Sequence, residues 1–522
     1  MLSAVAFVLL GIAVPNGMPC ETLTSLKLDH ATITAAAVVP EGPAPARGGG
    51  GAARGAAGAR GGAGGRGAAP APNLPAHCQV KVTLTPTSDS LIYMEMWLPT
   101  QNWNGKFMGV GNGGFAGSIQ GLTNEMPQAL RLGYATAGTD TGHQDQGGAW
   151  GIGHPEKMKD FGYRSTHEMT LKAKEIVKAF YDENAKYSYF KGCSTGGRMA
   201  VMEAQRYPDD YNGIIAGSLA NRHIHMWTAG VERSLESVRN SEGNLTAEKA
   251  DLVNKLVMGT CDTLKEGFLN NPKQCKVDFK KLLCAAGKDD NTCLTATQLK
   301  TVDTFYGGVK NSKGELIFSG QALGNPIAAT RVPTQAAGTF DIVKIAFNDP
   351  NLDWNKFDLN RDMPLIDKAV GYVDAVDPDL SKFKKNGGKL LLTHGWADTG
   401  ITPENTVLYY DSVLNKMGKN QSEWMRLFMA PGMGHCGGGP GPNQFDHLTA
   451  LEQWVEKGVA PDKIIATHST AGKVDRTRPL CVYPQVARWK GTGSSDEAAN
   501  FTCVAPPAPT PAAKTATTGG HP

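Results

Sequence analysis

Charge imbalance is almost absent from this chain: 52 Lys and Arg stand against 49 Asp and Glu, a formal net charge of +3 over 522 residues. Four of the cations, Arg47, Arg54, Arg60 and Arg66, fall in one low-complexity stretch, so no basic face for nucleic acid is implied. After residue 14 no apolar run is long enough to span a bilayer, which removes a membrane partner from the body of the chain. None of the ten cysteines forms a Cys-x-x-Cys pair, which argues against zinc sites and thioredoxin-like chemistry. What remains is an ordinary globular composition, 41% hydrophobic and 19% charged. The length exceeds one compact core, so two lobes or a core with a large insertion are expected.

Residues 2–14 (LSAVAFVLLGIAV) form an apolar run of signal-peptide length, although no Lys or Arg precedes it. We read 1–18 as a signal peptide, which predicts a secreted or periplasmic protein; Pro19 before Cys20 argues against a lipoprotein site. An even number of cysteines in an exported chain points to disulfides. Proximity suggests Cys261–Cys275, Cys284–Cys293 and Cys481–Cys503, although spacing alone does not fix connectivity.

Residues 24–40 and 79–98 read as short alternating strands. Between them, 41–75 is rich in Gly, Ala, Pro and Arg and cannot bury enough apolar surface to offset its ordering entropy, so a disordered loop is expected. From residue 103 strands, Gly-rich turns and amphipathic helices alternate, the pattern of a mainly parallel sheet with helices on both faces. Residues from about 221 to 376 break that rhythm, and it returns with KLLLTHGWAD at 389–398. The expected architecture is an α/β core over 19–220 and 377–522 with an inserted lobe at 221–376.

A serine hydroxyl becomes nucleophilic only with a base in reach and a group orienting that base. Gly192-Cys193-Ser194-Thr195-Gly196 lies between a predicted strand, YSYFKG, and a predicted helix, RMAVMEAQRYP, which is the setting of a nucleophile elbow. Asp398 ends the strand KLLLTHGWAD, and its competing reading is a helix N-cap. His435 follows the strand WMRLFMAPG in a Gly-rich loop and is our choice of base. His394 reads as a supporting residue near Asp398, and His447 as a solvent-facing or capping residue. The order Ser194, Asp398, His435 is that of an α/β-hydrolase. Thr195 N–H and either Gly113 or Gly114 are candidate oxyanion donors, with no choice between the glycines. Ser194 and His435 each have a cysteine beside them, so a Cys193–Cys436 disulfide would clamp nucleophile to base.

The segments WNGKFMGVGNGGFAGSI, KGCSTGGRMAVMEAQRYPDDYNGIIAGS, HGWAD and PGMGHCGGG together resemble the tannase and feruloyl esterase family, which also contains mono(hydroxyethyl) terephthalate hydrolase. The resemblance runs from about Cys20 to Cys503. It implies an α/β-hydrolase fold with a lid domain inserted over the active site, and the pairs Cys20–Cys78, Cys193–Cys436, Cys261–Cys275, Cys284–Cys293 and Cys481–Cys503. It also implies a carboxylic ester hydrolase acting on a small aromatic ester, hydroxycinnamoyl or galloyl, through an acyl-enzyme. The alternatives are a tannase or a terephthalate half-ester hydrolase, and a non-catalytic polyphenol- or carbohydrate-binding protein on the same fold. The family's lid carries a calcium loop, but here the segment after Cys261 is three residues short and lacks the middle aspartate. Asp262 and Glu266, with Lys265 between them, are a weak cage for an ion that wants six to eight oxygens. No cofactor or metal is therefore expected.

Overall fold

The computed structural model describes residues 17–44, 73–123, 125–145 and 147–506. The signal-peptide reading at 1–18 and the Gly/Ala/Arg-rich loop therefore lie almost wholly outside the described residues. The flanks of that loop meet: Gly42 and Leu74 exchange backbone hydrogen bonds of 3.2 and 2.7 Å.

Nine strands form one mixed sheet. In chain order they are β1 (Ala31–Val39), β2 (His77–Leu84), β3 (Ile92–Pro99), β4 (Lys106–Val110), β5 (Ala135–Thr139), β6 (Tyr187–Cys193) and β7 (Gly213–Gly217). A small hairpin of β8 (Val309–Lys310) and β9 (Leu316–Phe318) stands apart from the sheet, which β10 (Lys389–Gly395) and β11 (Met425–Ala430) complete. The spatial order is β1-β2-β3-β5-β4-β6-β7-β10-β11. The first three strands and the β3–β5 step are antiparallel, and all later neighbours are parallel.

Period-two alternation sorts the side chains into two cores. Leu390 and Leu392 of β10 join a cluster with Met169 and Ile176 of the helix Ser165–Tyr181 and with Met199 and Met202 of the helix Thr195–Arg206. Leu391, between them, joins the opposite cluster with Leu130 of the helix Glu125–Arg131 and Trp454 of the helix His447–Lys457. The fold is thus an α/β-hydrolase, with helices on both faces of the sheet as the strand–helix alternation predicts. Two C-terminal hairpins, β12 (Lys463–Thr470) with β13 (Lys473–Cys481) and β14 (Val486–Trp489) with β15 (Phe501–Val504), follow it.

Residues 223–373 add helices and the β8–β9 hairpin but no strand of the main sheet. The helices His223–Arg239, Asp341–Phe347 and Leu359–Val370 close over their own apolar cluster, which takes in Phe161 and Met158 from the sheet side. A second, smaller cluster gathers Val253, Leu294 and Val302.

Candidate active site

Five disulfides are present, joining Cys20–Cys78, Cys193–Cys436, Cys261–Cys275, Cys284–Cys293 and Cys481–Cys503, and no described cysteine is free. The Cys193–Cys436 bond spans 243 residues of sequence and brings the two Cα atoms to 6.0 Å.

Ser194 sits where β6 gives way to the helix Thr195–Arg206, with φ +65° and ψ −125°. A side chain rarely adopts this region, so the surroundings must hold it. They do: Ser194 N–H donates to Gly217 O at 3.0 Å, and its carbonyl accepts from Arg198 N–H at 3.1 Å. The glycines are sterically required, because a Cβ on Gly192 would stand 2.3 Å from Gly196 O and one on Gly196 would stand 2.9 Å from Asn112 O. Lower on the same helix, buried Arg198 donates to the carbonyls of Gly162, Phe161 and Val373, and burial pushes its guanidinium down to about 10.

Asp398 is fully buried and uses both oxygens. Oδ1 accepts the N–H groups of Gly400 and Ile401 at 2.8 and 2.9 Å, which orders the turn ahead of the helix Pro403–Met417; the N-cap of that helix is Thr402, so Asp398 is not the helix cap weighed from sequence. Oδ2 lies 2.8 Å from His435 Nδ1 and 3.0 Å from His394 Nε2. Burial alone would raise this carboxyl, but the His394 and His435 hydrogen bonds and charges outweigh it and hold the group well below the ordinary carboxylate range. His394 is anchored in turn by Thr406 Oγ1 at 2.6 Å. One oxygen of the carboxylate thus holds its own turn while the other meets two imidazoles.

The two candidate glycines differ in their hydrogen bonding. Gly113 N–H already donates to Gln120 Oε1 at 2.8 Å. Gly114 is exposed with φ +58°, its carbonyl accepts Thr195 Oγ1 at 2.7 Å, and among the described residues its N–H has no acceptor. Beside it, half-buried Phe115 stacks on Trp227 with centroids 3.9 Å apart. Composition gave no hint of that contact, which joins the loop after β4 to the helix His223–Arg239, 112 positions apart. His447 differs from expectation. Asp446, not His447, caps its helix, and the imidazole helps line a cavity of about 290 Å³ with Glu125 and Lys191, where burial pushes it down to about 3.

The inserted segment reaches the acid directly: Asn325 Nδ2 donates to Asp398 O at 3.0 Å, and Ser319 Oγ lies 2.5 Å from Thr402 Oγ1. The segment after Cys261 does not offer a calcium cage. Asp262 spends one oxygen on Glu266 N–H and the other on Gly267 N–H, at 3.0 and 2.8 Å. Glu266 faces Arg478 at 2.6 Å, with both side chains buried. Among the described residues, His167, Glu203 and Asp210 bring donor atoms within 4.8 Å of one another. There His167 is already 2.7 Å from Asp210, and the Lys174 ammonium donates to the backbone carbonyl of Asp210, so the cluster already holds a cation of its own.

The family model for tannase and feruloyl esterase matches residues 78–504. An uncharacterized esterase of Xanthomonas campestris pv. campestris is 33% identical over 499 residues, covering 83% of this chain and 85% of that protein. A protein named "Probable feruloyl esterase B-1" from Aspergillus flavus is 32% identical, covering 82% of this chain and 86% of its own length. Among solved structures, feruloyl esterase B from Aspergillus oryzae superposes with a TM-score of 0.81 at 28% identity, over 93% of this chain and 99% of that one. The chain belongs to the tannase and feruloyl esterase family and is a serine carboxylic ester hydrolase of that family's type.

Proposed function

We propose that the chain hydrolyses esters of small aromatic acids, hydroxycinnamoyl or galloyl, through Ser194, His435 and Asp398. The observation that carries this reading is the His435 Nδ1–Asp398 Oδ2 contact of 2.8 Å beside a disulfide joining the neighbours of Ser194 and His435. In the mechanism, His435 Nε2 takes the Ser194 proton as the hydroxyl attacks the ester carbonyl. Asp398 keeps Nδ1 protonated and offsets the imidazolium charge. The developing oxyanion is met by Thr195 N–H, at the positive end of the helix Thr195–Arg206, and by Gly114 N–H. His435 then returns the proton to the leaving alkoxide. A water activated by the same imidazole hydrolyses the acyl-enzyme.

The aromatic preference is supported by Phe115 stacked on Trp227 next to Gly114, and by the named activities of the relatives. The division into a core at 19–220 and 377–522 and a lid at 221–376 is supported by the separate apolar clusters. The five disulfides support a secreted or periplasmic location, and among the described residues no helix is long and apolar enough to cross a membrane.

The test is a panel of methyl ferulate, methyl gallate, chlorogenate and mono(hydroxyethyl) terephthalate, run with wild type and Ser194→Ala. Turnover of the ferulate or gallate ester, lost on substitution, is expected. Preference for the terephthalate half-ester replaces the substrate class. No Ser194-dependent hydrolysis of any ester overturns the reading.

A further inference from the structure

His435 stands in a Gly-rich loop whose internal ties are few: Gly434 N–H donates to Gly438 O at 2.9 Å and Gly441 N–H to Gly432 O at 3.1 Å. Gly432 (φ +66°), Cys436 (+60°), Gly438 (+64°) and Gly439 (+89°) all occupy left-handed backbone, and glycine is the residue with most conformational freedom to lose. A base that must meet a serine within a few tenths of an ångström needs external restraint on both sides. On the C-terminal side that restraint is covalent, at Cys436. On the N-terminal side it is a ring. Phe268, 4% exposed, packs on Gly432, where an added Cβ would fall 2.6 Å from its Cγ. Met433, next in the chain, accepts Ala397 N–H at 2.9 Å, so the same contact bears on the residue before Asp398.

Phe268 comes from the segment closed by Cys261–Cys275, and its own position is set from behind. Glu266 and Asn270, two residues to either side, both bind Arg478 of β13. Nη2 donates to Glu266 Oε1 at 2.6 Å, and Nη1 to Glu266 Oε2 and Asn270 Oδ1 at 3.3 and 3.1 Å. Nη2 also reaches Ser495 O at 3.0 Å, and the guanidinium lies 3.9 Å from the Phe501 centroid, so the arginine itself is fixed. A forked, planar donor set fixes direction as well as distance, which a lysine would not do. Arg476 covers the Phe268 ring at 5.2 Å.

We propose that Arg478, acting through Glu266 and Phe268, is a positioning residue for the catalytic base: it presses Phe268 onto Gly432 and so fixes His435 against Asp398 and Ser194. This rests on His435 being the base. Arg478, Glu266 and His435 are scattered over the sequence, and none of the first two touches a reacting atom.

The experiment is steady-state kinetics of p-nitrophenyl acetate hydrolysis on a graded series, Phe268→Leu, Phe268→Val and Phe268→Ala, together with Arg478→Met and the double variant Glu266→Gln/Arg478→Met. All are assayed at a temperature where circular dichroism shows them folded. The expected result is kcat falling stepwise through the Phe268 series, by about 10-fold or more at Ala, with KM within about twofold. Arg478→Met should fall similarly. The double variant should recover melting temperature, because no unpaired buried charge remains, but not kcat. Flat kcat across the folded Phe268 members overturns the proposal, and Phe268→Leu keeps the series readable if Ala or Arg478→Met does not fold. A rise in KM equal to the loss in kcat/KM also overturns it, since that describes a damaged binding surface. His435→Ala separates the two readings: if it keeps turnover, base and positioning fall together; if it is inactive while the series stays flat, only the positioning role fails.

Discussion

The turn at Ser194 and the disulfide-closed stretch of the insertion around Cys261–Cys293 are restrained differently. Around Ser194 the backbone is crowded by backbone: Gly192, Gly196 and Gly197 each leave no room for a Cβ, the nearest carbonyls standing at 2.3, 2.9 and 2.3 Å. The disulfide there closes 243 residues. In the insertion the disulfides close 14 and 9 residues, and a Cβ added at Gly259 or Gly267 would meet nothing within 4 Å, although at Gly308 and Gly320 it would stand 2.5 and 2.3 Å from backbone carbonyls. The backbone at Ser194 is thus set by contacts between distant parts of the chain, whereas the stretch after Cys261 combines short disulfides with one long-range tie, Glu266 to Arg478.

The largest expected contrast is in turnover. Ser194→Ala should lower kcat by at least ~10³-fold and Asp398→Asn by a comparable factor through a misoriented imidazole, with melting temperature little changed for Ser194→Ala. A near-normal Asp398→Asn enzyme would mean another acid. Next comes packing. Gly192→Ala should cost about 3 kcal/mol or more, because the clash is with a carbonyl that cannot rotate away. Gly259→Ala, exposed in the helix Ala247–Cys261, should instead gain about 0.5–1 kcal/mol. Urea midpoints of the two variants measure this, and equal effects would erase the contrast.

Much of the sheet was legible because parallel strands buried on both faces read as apolar runs with turns between them, as KLLLTHGWAD and NGIIAGS do. Ser194, Asp398 and His435 were singled out because each follows such a run in the order the fold requires, and the structure brings His435 Nδ1 to 2.8 Å from Asp398 Oδ2. Other features depend on partners far away in sequence. The choice of Gly114 over Gly113 turns on the Gln120 carboxamide, and His394 joins Asp398 only after the strand and turn have formed. Glu266 and Arg478, 212 residues apart, carry no periodicity or motif that would pair them. The helix His223–Arg239 and the C-terminal hairpins were missed as well, since their apolar faces pack on elements that local patterns do not show.

The disulfides sharpen the comparison further. By loop entropy alone, closing 243 residues contributes about 5.5 kcal/mol and closing 9 about 2.5 kcal/mol. Replacing Cys193 and Cys436 by Ala should also lower turnover at temperatures where the protein stays folded, since Ser194 and His435 lose their shared anchor. Replacing Cys284 and Cys293 should leave kcat unchanged. Full turnover in the folded Cys193/Cys436 variant would show that packing alone positions the pair.

Acid separates the regions by sign. Burial pushes His143, in the loop after β5, down to about 4. The unfolded chain therefore takes up its proton near pH 6.5 while the folded chain does not. Stability from this group is complete above pH 6.5 and falls as pH drops toward 4, by at most ~3 kcal/mol. His225, in the insertion, is raised: burial opposes it, but the hydrogen bond with Asp367 at 2.9 Å prevails. Its contribution is present below the unfolded value and is lost as pH rises through the folded one. Melting temperatures at pH 5 and 7.5 should therefore diverge: His143→Asn should narrow the loss on acidification, and His225→Asn should widen it.

The smallest expected effect tests how the insertion is tied. If a divalent ion held the segment after Cys261, EDTA would lower the melting temperature by removing a ligand bound to the folded state alone. The carboxylates there have other obligations: both Asp262 oxygens cap backbone N–H groups, and Glu266 is matched by a buried guanidinium. A calcium ion would have to displace those partners and bring its charge beside Arg478, at a desolvation cost few oxygens could offset. EDTA should therefore move the melting temperature by no more than about a degree or two, and calcium added afterwards should not raise it. Arg478→Met gives the complementary reading. With the guanidinium gone, Glu266 is a buried carboxylate without its cation, and the melting temperature should fall whether or not calcium is present. A large EDTA effect in wild type, reversed by calcium, would show that the insertion is held by an ion and not by Arg478.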